Sequence, residues 1–516
     1  MIQTGGARWW ALLGLMLAIL VVSMDGTILS VASPTLAVQL KASESQLQWF
    51  SSGYLLVLAA TVLPTGRLGD RMGRKRVLFA SVTLFGASSV WCALSTSPTA
   101  FLIARLAMGA AGAAITVTAL SVLAVLFDER ERPKAVGIYQ GVNFLALPLG
   151  PVLGGWMLTH LWWGWVFLMN APVALLAAIG VLALVPESKA PGQAGFDLTG
   201  AAVSTAGLIG MTYGVIEAGQ DGWTSPLALT LMIAGAVVFA GFLFWERRVI
   251  AAGKEPLLDL TLFRSPAFTW GAILGGVVGL AMIGVLFVMP QFFQGVQGAT
   301  AIASGLRLLP LLAGLVAGAI VADRVARLAG WRTAITGGFV IIAAGALLGA
   351  STQPDTGFWP IATWMFLLGL GVGLALATSS SAALSQLDTV NSGSGSAIVQ
   401  LIQKLSAPFG SAILGSAVSA IYLAHLNDDD LPGLTVSAAG QSVFAGVAIA
   451  EKTGSHVLLA AVRSAFTAGL GAALLTSAGF AIAGIILAVL FMPGRRETQG
   501  IMDAHGDAAR KEPSDA

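Results

Sequence analysis

The apolar residues of this chain fall into runs of roughly 20, each long enough to cross a bilayer as a helix, with charged or turn-rich stretches between them. Reading each run as one helix predicts fourteen spans, near 9–33, 47–68, 77–95, 99–126, 135–158, 164–185, 198–219, 226–245, 267–290, 301–322, 333–351, 359–385, 394–423 and 472–492. The stretch 424–471, with NDDDLPG, reads as a long polar connection that ends in an amphipathic approach to the last helix.

Composition agrees with the pattern. The chain is 56% hydrophobic and 10% charged over 516 residues, with a mean hydropathy of +0.84. A soluble protein carries about a quarter charged residues. Sixty-three glycines suit close packing of membrane helices. The fold class is therefore an all-α polytopic membrane protein. The single cysteine, Cys92, excludes an internal disulfide and sits in an apolar run as packing. Arg8, an apolar run and SVAS superficially resemble a signal peptide. That run is too long and carries Asp25, so it reads as an uncleaved first helix.

Charge distribution says more than the net charge of +2. With the N-terminus inside, segments on the cytoplasmic side hold 21 of the 27 Lys and Arg residues. The opposite side holds only Lys41, Lys452 and Arg463, while Arg105, Arg307 and Lys404 fall within spans. Such an asymmetry predicts that both termini are cytoplasmic. A miscount by one helix would reverse its sign downstream.

An internal echo organises the chain. GRLGDRMGRKR (66–76) follows the second span, and AIVADRVARLAGWR (319–332) follows the tenth. Asp323, Arg324, Ala326 and Arg327 align with Asp70, Arg71, Gly73 and Arg74. Two halves of six helices separated by an inserted pair would place the echo there. The predicted organisation is a first bundle (1–190), an inserted pair (191–256), a second bundle (257–496) containing the loop 424–471, and a cytoplasmic tail (497–516).

The stretch 66–76 interleaves Gly66, Gly69 and Gly73 with Asp70, Arg71 and Arg74. Glycines allow a tight turn and close helix approach, and Asp70 with the arginines can form a charge-assisted cluster at the helix ends. A cluster of this kind latches one conformation and breaks in another; the plainer reading is an ordinary basic loop. The stretch resembles the loop 2–3 motif of the major facilitator superfamily. LIARLAMGAAGAA (102–114), with Arg105 in the membrane, resembles the fourth-helix motif, and PLGPVLGG (148–155) after GIYQG resembles the fifth-helix motif of its antiporters. MDGTILSVASP (24–34) is similar to the first-helix motif of the fourteen-helix drug:proton antiporters. Ser30, Ser33, Met108 and Gly164 depart from that branch's usual residues, and the second loop lacks most of the glycines.

The resemblance covers the whole chain and implies the major facilitator fold, in a 6+2+6 arrangement, within a bacterial inner membrane. It implies a latch at Gly66, Asp70, Arg71, Gly73 and Arg74, mirrored at Asp323 and Arg324. It also implies an antiporter hinge or seal at Pro148, Gly150, Pro151, Gly154 and Gly155. The two prolines predict a kinked fifth helix. Substrate contacts are expected from Tyr54, Tyr139, Gln140, Asn143 and Phe144, and Lys404 lies too deep to snorkel easily, so it is a candidate for the second half's cavity wall. Each of these also reads as plain bundle packing.

No GxxxxGK[ST] occurs, so no built-in ATPase is visible. His160, His425, His456 and His505 fall in loops, span ends or the tail, which removes a metal cluster or buried His relay. No paired catalytic groups suggest an enzyme, and no cofactor or nucleic acid is called for. Of the 25 acids, only Asp25 and Glu217 fall inside predicted spans, Glu217 at the outer end of its helix as a second candidate. Asp25 is expected to carry the proton, with Arg105 orienting it; attraction of a cationic substrate and a packing hydrogen bond to Thr27, Ser30 or Arg105 are the alternatives. Arg105 itself could snorkel to the interface. The expected function is proton-coupled export of lipophilic, cationic drugs (quaternary ammonium compounds, dyes, antibiotics) across the lipid bilayer by alternating access, by a single chain. A dedicated exporter of one metabolite or antibiotic, and a sensor or scaffold reusing the fold, are the rivals.

Overall fold

In a computed structural model of the chain, residues 7–494 are described, apart from 43, 128–130, 190–196, 254–255, 386, 388–391, 429–438 and 441. The tail 497–516 and most of NDDDLPG lie outside the described residues. Among the described residues the fold is entirely helical. Helices α1 (Ala7–Gln39), α2 (Glu44–Met72), α3 (Arg74–Leu94), α4 (Pro98–Leu126), α5 (Arg132–His160), α6 (Trp165–Leu168) and α7 (Asn170–Leu184) build the first bundle. The pair α8 (Leu198–Asp221) and α9 (Pro226–Ala251) follows. The second bundle comprises α10 (Pro266–Gln291), α11 (Ala301–Arg307), α12 (Leu309–Gly349), α13 (Phe358–Leu384), α14 (Ser392–Asp428), α15 (Val443–Thr453) and α16 (His456–Phe491).

Ten of the described helical segments are long and apolar enough to cross a membrane. Helix α12 is two helices across a kink at Gly330, whose φ of 82° leaves the helical region. Pro290 near the end of α10 precedes a π turn at Phe292–Val296, as expected where a proline frees a backbone carbonyl.

The connection 424–471 needs correcting. Helix α14 runs on to Asp428, α15 occupies Val443–Thr453, and α16 starts at His456 rather than near 472. Ser455 caps α16 by accepting from the Leu458 N–H, which lets the helix begin before its most apolar stretch. A hydropathy reading placed the start too late because Arg463 sits in the first two turns.

Two hydrophobic cores divide the molecule, one within each bundle. The division does not follow the chain: Ala397, Ile398, Val399 and Leu401 of α14 belong to the first core. So do Leu208 of α8 and Phe242 of α9. The inserted pair packs on the bundle's flank, with α8 against both α2 and α14. The Thr205 hydroxyl donates to the Ala60 carbonyl of α2 at 3.2 Å, and the Trp223 indole donates to Ser416 Oγ of α14 at 3.1 Å.

Candidate functional site

Asp25 lies in the middle of a continuous α1 and is fully buried. One carboxylate oxygen accepts from Arg105 Nη1 of α4, and the other accepts from Asn170 Nδ2 of α7 at 3.3 Å. Arg105 is only 1% exposed, which rules out snorkelling. Its Nε donates to the Phe50 carbonyl at 3.1 Å and its guanidinium stands 4.3 Å from the centre of the Tyr54 ring. The Tyr54 hydroxyl donates to the Val22 carbonyl at 3.2 Å. Asn170 Nδ2 also donates to Ser89 Oγ at 3.0 Å, and Ser89 donates to the Phe167 carbonyl at 2.8 Å. Five helices thus converge on one ion pair. Losing either partner of such a pair leaves a bare buried charge, at a cost of about 3–5 kcal/mol.

Tyr54, expected in a substrate cavity, is instead fully buried beneath Arg105. Asn170 and Ser89 escaped the sequence reading. Asn170 was visible as the one amide in the apolar segment 165–184, placed where the helix breaks between α6 and α7.

Helix α5 holds α1 in place. It remains helical from Arg132 to His160, through the proline pair. At Gly150 an added Cβ would come within 2.5 Å of the Met24 carbonyl, and at Gly154 within 2.7 Å of the Ile28 side chain. The predicted hinge therefore presses on α1 on either side of Asp25. Gly155 stands against Val31, with room for a Cβ. Pro151 is partly buried on the same turn. The side chains of Pro148 and Phe144 lie outside the described residues.

A second polar assembly bridges the bundles. Ser23 donates to Asn143 Oδ1; Asn143 Nδ2 donates to Gln140 Oε1 at 3.4 Å; Gln140 Nε2 donates to Gln403 Oε1 at 3.1 Å; Gln403 Nε2 donates to Ser380 Oγ at 3.2 Å. This file runs α1–α5–α14–α13 and contains no charge. Two expected cavity residues, Gln140 and Asn143, are in it; Gln403 and Ser380 were missed, because nothing in a Gln or Ser within an apolar run marks which bundle it will face. Tyr139 is buried alongside, its hydroxyl donating to the Thr116 carbonyl at 3.4 Å and hydrogen-bonded by Gln400.

The loop 66–76 closes one end of the bundles. Asp70 pairs with Arg74 Nη2 at 2.5 Å, both fully buried, and accepts from the N–H groups of Gly393 and Ser394 at 3.0 Å each. Those two amides open α14, so the carboxylate meets both free N–H donors and the positive end of the helix dipole. Gly73 turns the chain with φ 104°, a region that favours glycine, and Gly66 lets α2 approach α14. Arg71 is exposed and makes no hydrogen bond or ion pair among the described residues, so it stands apart from the cluster in which it was expected. In the second half Asp323 pairs with Arg327 at 2.5 Å, while Arg324 is exposed.

The acid inventory also changes. Glu217 is partly buried on α8, but Glu246 near the end of α9 is fully buried, accepting from the Leu258 N–H at 3.2 Å. The sequence reading passed over it because WERR reads as a solvated helix end. Its spacing from Phe242 and Val249 places all three on one face, and that face is buried.

A family model for the Major Facilitator Superfamily matches residues 15–411. The tetracenomycin C resistance and export protein of Streptomyces glaucescens is 31% identical over 412 residues, 80% of this chain and 76% of that protein. The multidrug efflux pump LfrA of Mycolicibacterium smegmatis is 30% identical over 497 residues, 94% of this chain and 97% of that protein. Among solved structures, the proton:xylose symporter XylE superposes with a TM-score of 0.59 at 14% identity, covering 98% of this chain and 100% of that one. The two-bundle fold, the latch motif and the matched family model together make this chain a member of the Major Facilitator Superfamily.

Proposed function

We propose that the chain is a proton-coupled antiporter that exports lipophilic small molecules, drugs or antibiotics, across the bacterial cytoplasmic membrane. The observation that carries the reading is the sealed Asp25–Arg105 pair at the convergence of five helices. Protonating Asp25 removes the charge that Arg105 balances, and the released guanidinium must find another partner or water. Either response repacks α1 against α4. Because Gly150 and Gly154 seat α5 on α1, that repacking reaches the polar file between the bundles. The two bundles then rock about that file, which is the alternating-access motion of this fold. No cofactor enters the cycle; the proton gradient drives it.

The topology in this reading is fourteen spans, with both termini in the cytoplasm and the latch at the cytoplasmic end. Charge asymmetry supports it, as does the kink at Gly330, which divides α12 into two passes. One chain contains both bundles and the whole path, so it works as a monomer. Relatives named for drug efflux, such as LfrA, support export. A narrower reading, export of one antibiotic, is favoured by relatives named for tetracenomycin C and actinorhodin.

The test is Asp25→Asn in proteoliposomes. We expect substrate-linked proton movement to fall by more than about a hundredfold, as for loss of an essential proton carrier, with the protein still eluting as a folded species. Substrate-linked proton movement at the normal rate would defeat the assignment. A panel of chemically unrelated compounds separates broad from narrow export.

A further inference from the structure

On α14, positions 393, 397, 400 and 404 recur at helical spacing and form one stripe. Gly393 binds Asp70 of α2, Ala397 packs against Gly66 of α2, and Gln400 meets Tyr139 of α5. The stripe therefore faces the first bundle, and Lys404 extends it into the seam where the bundles meet, one residue beyond the bridging Gln403. Lys404 is only partly buried and has no hydrogen bond or ion pair among the described residues. Other interior cations are matched: Arg105 by Asp25, Arg74 by Asp70, and Arg132 by the Leu384 carbonyl at 2.9 Å. An intramembrane ammonium without a counter-charge is costly and marks a ligand path.

Its neighbours along α14, Gln400 and Gln403, are neutral, and the file that Gln403 joins through Gln140, Asn143 and Ser380 carries no charge. Asp25, the buried carboxylate of α1, is sealed and already neutralised by Arg105. The field in the seam is thus positive, which repels a cation and attracts an anion. A second cationic feature lies at the end of the molecule opposite the latch. A cleft of about 440 Å³ there is lined by Arg307 and Arg463 against a single acid, Asp355. Arg307 Nη1 is held by Gln297 Oε1 at 2.7 Å.

We infer that Lys404 is an anion-binding residue of the transport path, and that the cargo class is an aromatic or otherwise lipophilic molecule bearing a carboxylate or an ionised phenol. This rests on the reading of the chain as an exporter, and it replaces the cationic cargo expected from sequence. Outward movement of an anion adds to the charge carried by an inward proton instead of cancelling it. Export is then electrogenic and is driven by an inside-negative potential as well as by the pH gradient.

The experiment compares two xanthene dyes of opposite charge, carboxyfluorescein and tetramethylrhodamine methyl ester, in proteoliposomes of the full chain with independently set pH gradient and membrane potential. The wild type should move carboxyfluorescein faster than the ester, and faster still when the potential is imposed. Lys404→Gln should slow carboxyfluorescein about tenfold, the size expected for losing one charge-assisted contact, without slowing the ester. Lys404→Arg should retain carboxyfluorescein transport within about twofold, which separates charge from fold. Movement of the ester alone by the wild type, or equal slowing of both dyes by Lys404→Gln, overturns the anion assignment while leaving the exporter reading intact. Failure of the wild type to move either dye, with no difference from Asp25→Asn, overturns both.

Discussion

The loop after α2 and its echo in α12 share a local design and differ in what covers them. Each has an aspartate paired with an arginine four residues on, at 2.5 Å in both cases. Each lies near a glycine outside the helical region, but Gly73 (φ 104°) stands between the paired residues and Gly330 (φ 82°) three residues beyond Arg327. Yet Asp70 and Arg74 are fully buried, whereas Arg327 is 50% exposed and Asp323 14% exposed. The difference lies in the partner helix. Asp70 plugs the first amides of α14, and no such plug is made by Asp323 among the described residues. The close approach beside each loop is also exchanged. Four residues before Asp70, Gly66 of α2 faces Ala397 of α14; four residues before Asp323, Ala319 of α12 faces Gly137 of α5. In one contact the glycine is on the loop's own helix, and in the other it is on the partner. The same amino-acid pattern therefore makes a sealed ion pair in one half and a looser one in the other.

The largest expected effect breaks the tight side. Asp70→Ala leaves Arg74 buried without its counter-charge and frees two helix-start amides, at a cost of about 3–5 kcal/mol. Asp323→Ala removes a half-solvated pair worth less than about 1 kcal/mol. Thermal melts in detergent should therefore separate the two variants clearly. Equal melting shifts would mean that burial does not set the contrast.

A middle-sized effect tests the exchanged seam. A Cβ at Gly66 would stand 2.6 Å from the Ala397 Cβ, and one at Gly137 2.7 Å from the Ala319 Cβ. Gly66→Ala and Gly137→Ala should each cost about 1–3 kcal/mol through overpacking. Adding Ala319→Gly to Gly137→Ala should recover most of the loss, whereas Ala397→Gly should recover only part of it at Gly66, where the new Cβ also stands 2.7 Å from the Gly393 carbonyl oxygen. Recovery in a double-mutant cycle measures each contact directly, and its absence would show that the helices do not meet there during folding or transport.

The smallest effect concerns the arginines that the alignment pairs but the structure leaves outside. Arg71→Ala and Arg324→Ala should each shift stability by no more than about 0.5 kcal/mol, because both side chains are exposed. A fall in transport comparable with that of Asp70→Ala would place Arg71 back in the latch in another conformation of the cycle.

Much of the site was readable from single residues because cost singles them out. Asp25 and Arg105 are rare charges within long apolar runs, and such groups must find each other. Glycines at 150 and 154 could be read as seam residues because prolines flank them. Neutral partners carried no comparable signal. Ser89, Gln403 and Ser380 are inexpensive enough in a membrane helix that their presence does not announce a contact, and Asn170 stands out only as the one amide of its apolar segment. Glu246 was hidden for the opposite reason, since a charge at a helix end looks solvated until a following segment folds over it, as residues 257–258 do here. The early start of α16 was lost to the same averaging, where one arginine outweighed its apolar neighbours.

By itself the sequence determined that this is a helical membrane protein carrying its superfamily's motifs, and it singled out Asp25 and Arg105 as charges that had to be paired. Those features follow from hydropathy, from repeated motifs and from the expense of intramembrane charge, all of which are local or additive along the chain. Only the tertiary structure decided that α14 contributes to the first bundle's core, that one echo is sealed and the other open, and that Lys404 faces the seam without a counter-charge. Which face of a helix meets which neighbour depends on packing among many helices at once, and no single segment encodes it.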